Sequence, residues 1–446
     1  MTAYADQLDS VVARAASACV SCGACFEACP TAREIGMARD GAVARVGELK
    51  ALAAGEAAAP ELTRWLDACD GSGRCVDACP ENINVRQWIA VSRMKAVSAA
   101  RPEEARRAAQ AKRFRSMSQA VRLLGAMQLP SETLSRVLAP VETRHAEVLF
   151  YTGCNVLRTP HIVLNVMDIL DTLGVDFDVV GGPSHCCGVY QFLEADLPTY
   201  ERVGHRTFER FGKSGAKQVL TWCPTCTKNF DELEADPAPP SFDLAHISEF
   251  LAASLDRLRP AFVDLPPRRA VIHEHQGIGA SLESVRALMG AVPNLTVVDF
   301  PQDSGFSYAC GGVAAKYKDR ERAIHAAVAE GARAAGADLV VTMYHSCHRA
   351  LAGAGASHPF EVVNFTDVLA EAVGKGGRAD YYKQYKSGGD MAEAVAAARR
   401  FLESNGVRVD ARTIGSLTAD IFGETGIAAP ADDFRRAMTT VAIGGG

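Results

Sequence analysis

The chain of 446 residues contains 14 cysteines, and their spacing is the feature best suited to chemistry. Most of them fall into three closely spaced sets. The sets are Cys19, Cys22, Cys25 and Cys29; Cys69, Cys75 and Cys79; and Cys154, Cys186, Cys187, Cys223 and Cys226, with Cys310 and Cys347 outside them. The N-terminus lacks the basic and apolar segments of a secretory signal. We therefore expect a cytoplasmic protein whose cysteines are thiols or metal ligands rather than disulfides.

The first set has the spacing C-x2-C-x2-C-x3-C-P, which is typical of proteins that hold two iron–sulfur clusters. Three thiolates around a tight turn bind one cubane, and the fourth cysteine reaches the other cluster. We therefore predict that Cys19, Cys22 and Cys25 share a [4Fe–4S] cluster with Cys79, the last cysteine of the second set.

The second set repeats this pattern with one ligand missing. Ser72 stands at the position of its second cysteine, so Cys69, Cys75 and the crossing Cys29 supply only three thiolates. Three alternatives follow: a [3Fe–4S] cluster, a [4Fe–4S] cluster whose fourth iron takes Ser72, Asp70 or water, or no cluster. The three-iron alternative resembles the iron–sulfur subunit of succinate dehydrogenase, which has the same C-x5-C-x3-C-P spacing.

The segments around these cysteines predict a helical region followed by a duplicated α/β region. Residues 31–68 are rich in alanine and have a helical pattern, whereas from residue 146 short apolar runs alternate with amphipathic segments, which indicates parallel sheets covered by helices. The segments 215–226 and 336–347 match one another and indicate an internal repeat. The expected domains are an α-helical two-cluster ferredoxin domain at 1–100, basic linker helices at 101–145, two α/β copies at 146–262 and 263–375, and a helical C-terminal extension at 376–446 that opens with a linker at 378–389.

The third cysteine set resembles the cysteine-rich CCG domain of the heterodisulfide reductase family. That family has one cysteine, then the triplet CCG, then C-x2-C, and Cys154, residues 186–188, Cys223 and Cys226 follow this order. The resemblance implies that the five cysteines hold a noncubane [4Fe–4S] cluster or, as in some family members, a simpler iron–sulfur or zinc site.

The second α/β copy departs from that family. Gln276, Ala309 and Tyr344 stand where three of the family's cysteines would be. Its remaining candidate ligands are Cys310, Cys347, His273, His275 and His345. Three alternatives remain for this copy: a repeat kept for packing, a Cys/His site for zinc, or a substrate or proton-relay pocket.

The whole architecture resembles the iron–sulfur subunits of anaerobic glycerol-3-phosphate dehydrogenase, glycolate oxidase and dimethylglycine catabolism. The resemblance implies an electron-transfer subunit of a flavin-dependent dehydrogenase complex that oxidises a small catabolic substrate such as a 2-hydroxy acid, glycerol phosphate or a methylated amine. Its partner would be a flavoprotein subunit or an electron-transfer flavoprotein. A quinone or a membrane-associated partner would accept the electrons, which would place the chain at the inner face of the membrane.

Two further observations limit the function. The sequence has no glycine-rich dinucleotide motif after a strand, so we expect no flavin or NAD of its own and assign no catalytic residue. A net charge of −6 and the lack of a helix-turn-helix pattern argue against nucleic-acid binding. The alternative function is a thiol or disulfide reductase that acts at the cluster of the CCG domain.

Overall fold

The computed structural model describes residues 3–138, 146–233, 241–275, 280–300, 318–387 and 391–407. Its N-terminal region is helical. The helices are α1 (Ala3–Ala18), α2 (Ala24–Glu27), α3 (Pro30–Glu34), α4 (Ala42–Ala53), α5 (Pro60–Ala68), α6 (Arg74–Asp77) and α7 (Val85–Ala100). Proline begins α3 and α5, where the missing amide hydrogen costs nothing. Trp65 and Trp88 are fully buried at the centre of this region, so its core is built from large apolar side chains.

Two helices, α8 (Glu103–Ala126) and α9 (Ser131–Leu138), connect this region to the α/β part. Two basic side chains of α8 contact the turn that follows the short helix at 189–193: Arg113 pairs with Glu194, and Arg106 donates to the carbonyl of Ala195. The apolar second half of α8 is buried. Part of the basic character of this segment therefore serves an internal contact, while Lys112 and Arg115 are exposed.

The α/β part consists of two four-stranded parallel sheets with the same strand order. The strands are β1 (Val148–Gly153), β2 (Phe177–Gly181), β3 (Gln218–Thr221) and β4 (Asp243–His246), then β5 (Arg268–His273), β6 (Leu295–Val297), β7 (Leu339–Thr342) and β8 (Glu361–Asn364). The orders are β2-β1-β3-β4 and β6-β5-β7-β8. The predicted fold class, a helical region followed by duplicated parallel sheets, is confirmed.

Helices cover both sheets and bury their apolar strands, as parallel sheets require. They are α10 (His161–Thr172), α11 (Val189–Leu193), α12 (Leu197–Lys213), α13 (Pro224–Leu233), α14 (Ile247–Ala253) and α15 (Leu255–Leu258), then α16 (Ser281–Ala291), α17 (Lys318–Ala334), α18 (His345–Leu351) and α19 (Phe365–Ala372). Among the described helices, none combines the length and the apolar character needed to cross a membrane.

The C-terminal extension begins with α20 (Tyr381–Ser387) and α21 (Met391–Ser404), which pack on the linker helices. The segment 378–389, expected to be a linker, thus contains a helix. It folds because Tyr382 and Tyr385 share one face and are both buried, and the Tyr385 hydroxyl donates to the carbonyl of Met127 at 2.7 Å. Residues beyond 407 lie outside the described part of the chain.

Candidate metal centres

The two cysteine runs of the helical region fold into the same local turn. Gly23 and Gly73 both adopt a left-handed conformation, with φ of 84° and 79°, and each precedes a one-turn helix, α2 or α6. Side chains other than glycine rarely adopt this φ, so both turns depend on it. Ser72 precedes the second glycine as Cys22 precedes the first. The second run therefore lacks a ligand because its side chain at position 72 is different, while its backbone turn is the same.

The structure brings the last cysteine of the second run to the first run. Cys25 lies close enough to Cys19, Cys22 and Cys79 for their charges to act on it. Burial, reinforced by these charges, raises the pKa of the Cys25 thiol to about 12. Four thiols this close together, one of them buried, can all stay deprotonated only when a cationic centre compensates their charge, which fits a metal cluster.

Cys29 lies instead with Cys69 and Cys75. Burial, with contributions from Asp70 and Cys29, raises the pKa of the Cys69 thiol to about 11. The pKa of Cys75 is also raised, by burial and by the charges of Cys69 and Cys29. The amide of Ser72 donates to Asp70 Oδ1 at 3.1 Å, so the buried Asp70 lies within the turn that lacks a cysteine.

The Trp65 indole Nε1 donates to Cys29 Sγ at 3.4 Å from a fully buried position. Such a bond stabilises the more negative, reduced form of a cluster bound through that sulfur. We expect Trp65→Phe to lower the reduction potential of this centre by roughly 20–60 mV, because a hydrogen bond of about 0.5–1.5 kcal/mol is lost. Redox titration followed by EPR measures the shift. Trp88→Phe, in the same core, is the control and should leave that potential unchanged.

The five cysteines of the first α/β repeat converge at one edge of its sheet. Cys154 follows β1, Cys186 and Cys187 follow β2, and Cys223 and Cys226 lie after β3, on either side of the start of α13. They come together because the carboxyl ends of parallel strands lie at the same edge of a sheet. All five are buried.

The thiols of this set form a continuous series of contacts. Each thiol lies close enough to the next to shift its pKa: Cys154 acts on Cys186, Cys186 on Cys187, Cys187 on Cys226, and Cys226 on Cys223. The neighbouring thiols, together with burial, raise the pKa of Cys154 and Cys226 well above the ordinary value. The donor set therefore fits a thiolate-bound metal centre, as the N-terminal sets do.

Polar groups around the five cysteines hold them in place. The amide of Gly188 donates to Cys186 Sγ at 3.4 Å, and the Tyr151 hydroxyl lies 3.7 Å from Cys226 Sγ. Asn229 donates to the carbonyl of Cys187 at 2.8 Å. Such bonds orient ligands and tune a bound cluster.

An ion-pair network joins α13 to the helical region. Lys228 Nζ lies 3.0 Å from Glu232 Oε2, and Arg86 Nη2 lies 2.5 Å from Glu232 Oε1. The charge of Lys228 acts on Cys69, and that of Arg86 acts on Cys75. The three-cysteine group of the helical region therefore borders the helix that carries part of the five-cysteine set. Sequence reasoning missed this network, although the spacing of Lys228 and Glu232 at i and i+4 was a usable signal for a pair on one helix face.

In the second repeat the structure brings together three of the predicted ligands. One donor atom from each of His273, His275 and Cys347 lies within 4.8 Å of the others, and all three residues are buried. His275 Nε2 is 3.3 Å from His273 Nε2 and 2.8 Å from Cys347 Sγ. Burial lowers the pKa of His273, which keeps its imidazole neutral and able to bind a metal.

The other predicted residues of this repeat lie elsewhere. His345 is not part of the group, because its Nδ1 accepts a hydrogen bond from Trp222 Nε1 at 3.2 Å. Tyr344, at a lost cysteine position, is buried beside His275 with ring centroids 5.6 Å apart. Gln276, Ala309 and Cys310 lie outside the described residues.

Comparison with known proteins matches two regions of the chain that carry these cysteines. Residues 15–83 match the family described as 4Fe-4S dicluster domain, and residues 148–231 match the family described as Cysteine-rich domain. The expected resemblance to iron–sulfur subunits of the heterodisulfide reductase type is confirmed by similar curated proteins.

Three relatives illustrate the similarity. One subunit of the dihydromethanophenazine:CoB–CoM heterodisulfide reductase of Methanosarcina mazei is 23% identical over 80% of this chain and 93% of its own. One subunit of the fumarate reductase (CoM/CoB) of Methanothermobacter marburgensis is 24% identical over 74% of this chain and 66% of its own. The glycolate oxidase iron-sulfur subunit of Escherichia coli is 21% identical over 80% of this chain and 94% of its own.

Proposed function

We propose that this chain, an iron–sulfur protein related to subunits of heterodisulfide reductase, fumarate reductase and glycolate oxidase, is the electron-transfer subunit of a flavin-dependent dehydrogenase complex. The observation that carries the proposal is the serial arrangement of its cysteine groups. The four-cysteine group and the three-cysteine group are built from the same two cysteine runs. The three-cysteine group in turn lies near Lys228 of α13, the helix that carries Cys226 of the five-cysteine set. When bound, clusters at these groups supply one-electron carriers.

We propose the following centres. Cys19, Cys22, Cys25 and Cys79 hold a [4Fe–4S] cluster; Cys29, Cys69 and Cys75 hold a [3Fe–4S] cluster beside Ser72, with a second [4Fe–4S] cluster as the alternative; and Cys154, Cys186, Cys187, Cys223 and Cys226 hold a noncubane [4Fe–4S] cluster. The crossed grouping of the N-terminal thiols and the contact series of the five-cysteine set support this assignment.

Electrons exchange with the partner at the surface near Cys22, which is the one exposed thiol among the described cysteines. Val20 and Val43 are 60% and 59% exposed, and the backbone of Val43, at the start of α4, lies against Gly23. An apolar patch beside an exposed ligand is suited to docking a redox partner, because burying it excludes water from the transfer path. We propose a flavoprotein, either a dehydrogenase subunit or an electron-transfer flavoprotein, at this surface.

Co-purification tests this partner. A tagged full-length chain, isolated anaerobically from its native host, should retain a flavin-containing protein that reduces the clusters when the substrate of the complex is supplied. Reduction by 2-hydroxy acids, glycerol phosphate or methylated amines would identify the substrate class. Isolation of the iron-loaded chain with no flavoprotein in near-stoichiometric amount would contradict the proposal.

A charge placed in the apolar patch should block partner docking. We expect Val43→Glu to reduce the rate of cluster reduction by the flavoprotein about tenfold or more, since an interface residue of this kind contributes about 1–2 kcal/mol. Stopped-flow reduction kinetics measure this rate. Val263→Glu is the control, because Val263 is 43% exposed but belongs to the second repeat. The docking assignment is wrong if both variants slow reduction equally, or if Val43→Glu loses iron.

Lys228 should raise the reduction potential of the three-cysteine centre. A buried cation favours the more negative, reduced cluster, and a unit charge at the edge of a partly buried site contributes about 1–2 kcal/mol. Lys228→Gln should therefore lower this potential by roughly 40–90 mV, whereas Lys228→Arg, which keeps the charge, should change it little. EPR-monitored redox titration checks both values. An equal shift in the two variants would show that packing and not charge sets the potential.

In the second repeat we propose a zinc ion bound by His273, His275 and Cys347. Two imidazoles and one thiolate at these separations suit a tetrahedral ion, with Cys310 as the expected fourth ligand. We expect Cys347→Ser to lose about one zinc per chain, by elemental analysis, without loss of iron. Loss of iron in that variant would assign the site to a cluster instead.

The disulfide reductase alternative gains no support from the geometry. All five thiols of the CCG set are buried, and Asn229 and Tyr151 close around them. Turnover of a disulfide by the isolated chain would nevertheless favour that function over electron transfer.

A further inference from the structure

A second group of side chains that could bind a metal, two of them buried and one partly buried, lies where the two repeats meet the C-terminal extension. His161 begins α10 of the first repeat, His348 lies on α18 of the second, and Asp380 directly precedes α20. One donor atom from each lies within 4.8 Å of the others. No part of the electron-transfer proposal uses these three residues.

The distances between the donor atoms are close to those around a small divalent ion. His161 Nδ1 lies 3.5 Å from Asp380 Oδ1, and His348 Nε2 lies 2.6 Å from Asp380 Oδ2. Ligands of a tetrahedral zinc with bonds of about 2.0–2.1 Å are separated by about 3.3 Å. The first distance already fits. The second is a hydrogen bond whose proton leaves when a metal ion takes its place, which lets the two ligands move apart.

The outward-facing nitrogen of each histidine meets an oxygen. His161 Nε2 lies 3.6 Å from Asp367 Oδ1, and His348 Nδ1 lies 3.3 Å from Thr342 Oγ1. Asn165 donates to the same oxygen of Asp367 at 2.6 Å and so fixes that carboxylate. Metal-binding histidines usually have a hydrogen-bond partner on the second nitrogen, because it fixes the tautomer and turns the free nitrogen toward the ion. His348 has this partner in Thr342, whereas Asp367 lies within ion-pair distance of His161 but beyond hydrogen-bond distance.

The burial of His161 without a hydrogen-bond partner in the described part of the chain independently indicates a bound ligand at this place. Its side chain is almost fully buried, and among the described residues neither of its nitrogens has a hydrogen-bond partner. A buried polar group without a partner costs free energy and calls for an explanation. Two carboxylates, Asp380 and Asp367, face this imidazole. The pocket therefore offers negative charge to a cation.

We propose that His161, His348 and Asp380 bind a divalent transition-metal ion, for which zinc is the best match to two imidazoles and one carboxylate. The ion joins the first repeat, the second repeat and the C-terminal extension at one point. Water completes its coordination. This centre is separate from the zinc site proposed at Cys347, and it stands or falls independently of the iron–sulfur centres.

Elemental analysis of the full-length, anaerobically purified chain tests the site. Zinc and iron are counted in the Cys347→Ser background, which removes the other zinc site. In that background we expect about one zinc per chain, lost in both His161→Gln and Asp380→Asn with iron unchanged. The chelator EDTA should lower the melting temperature of the Cys347→Ser protein but not that of the His161→Gln double variant, since a bound ion stabilises only the folded state.

The control is Asp168→Asn. Asp168 also lies on α10 and forms a two-bond ion pair with Arg378, at 2.7 and 2.8 Å, just before Asp380. The Asp168→Asn variant therefore loosens the contact between α10 and the segment before α20 without removing a ligand, and it should keep the zinc. The proposal is overturned if His161→Gln and Asp380→Asn retain the zinc of their parent, if the Cys347→Ser parent contains none, or if Asp168→Asn loses as much zinc as they do.

Discussion

Replacing Cys187 with serine is expected to remove about four irons per chain, while the iron of the helical region stays in place. Cys187 is the middle of the contact series, because its thiol lies next to the thiols of both Cys186 and Cys226. Serine is a far weaker ligand for iron and leaves the neighbouring thiols without a bridge. Iron analysis and EPR of anaerobically purified protein measure the loss.

The matched control for this prediction is Cys347→Ser, which changes another fully buried cysteine of the α/β part. It should cost zinc but no iron. Unchanged iron in Cys187→Ser would sink the cluster assignment of the first repeat. Loss of all iron would instead indicate that the helical region depends on the first repeat, a possibility checked with Cys154→Ser, which removes an end member of the series.

The cysteine spacing predicted the grouping of the thiols because each ligand loop is local. Gly23 and Gly73 fix identical turns, and the helices after them turn Cys29 and Cys79 away from their own loops. The alternating pattern likewise predicted both sheets, because parallel strands buried on both faces read as short apolar runs.

Contacts between distant segments could not be read in this way. The sequence places His345 and Cys347 in the same loop as candidate ligands of one site. They lie two residues apart at the start of α18, so their side chains point to nearly opposite sides of the helix, about 160° apart. Cys347 therefore meets His275, whereas His345 meets Trp222. His348 takes a third direction and reaches Asp380, a partner that only the tertiary fold supplies.

Ser72→Cys should convert the three-cysteine centre of the helical region into a four-thiolate [4Fe–4S] centre. The backbone needs no change, because the turn at Gly73 has the same conformation as the turn at Gly23. A cysteine at position 72 would therefore occupy the place that Cys22 has in the first run. We expect the EPR signal typical of an oxidised three-iron cluster to disappear, the iron content to rise by about one per chain, and the reduction potential to fall by more than about 100 mV, since a fourth thiolate adds negative charge.

Ser72→Ala separates the two remaining alternatives for this centre. If the wild-type cluster has three irons, removing the hydroxyl leaves its EPR signal and potential nearly unchanged, because Ser72 then binds no iron. If Ser72 is a ligand to a fourth iron, alanine should shift the potential and release that iron. A wild-type protein without the three-iron signal, in which Ser72→Cys also changes nothing, would contradict the three-iron assignment. Its iron content would then separate a four-iron cluster completed by water or by Asp70, which is buried in the same turn, from the absence of a cluster at this centre.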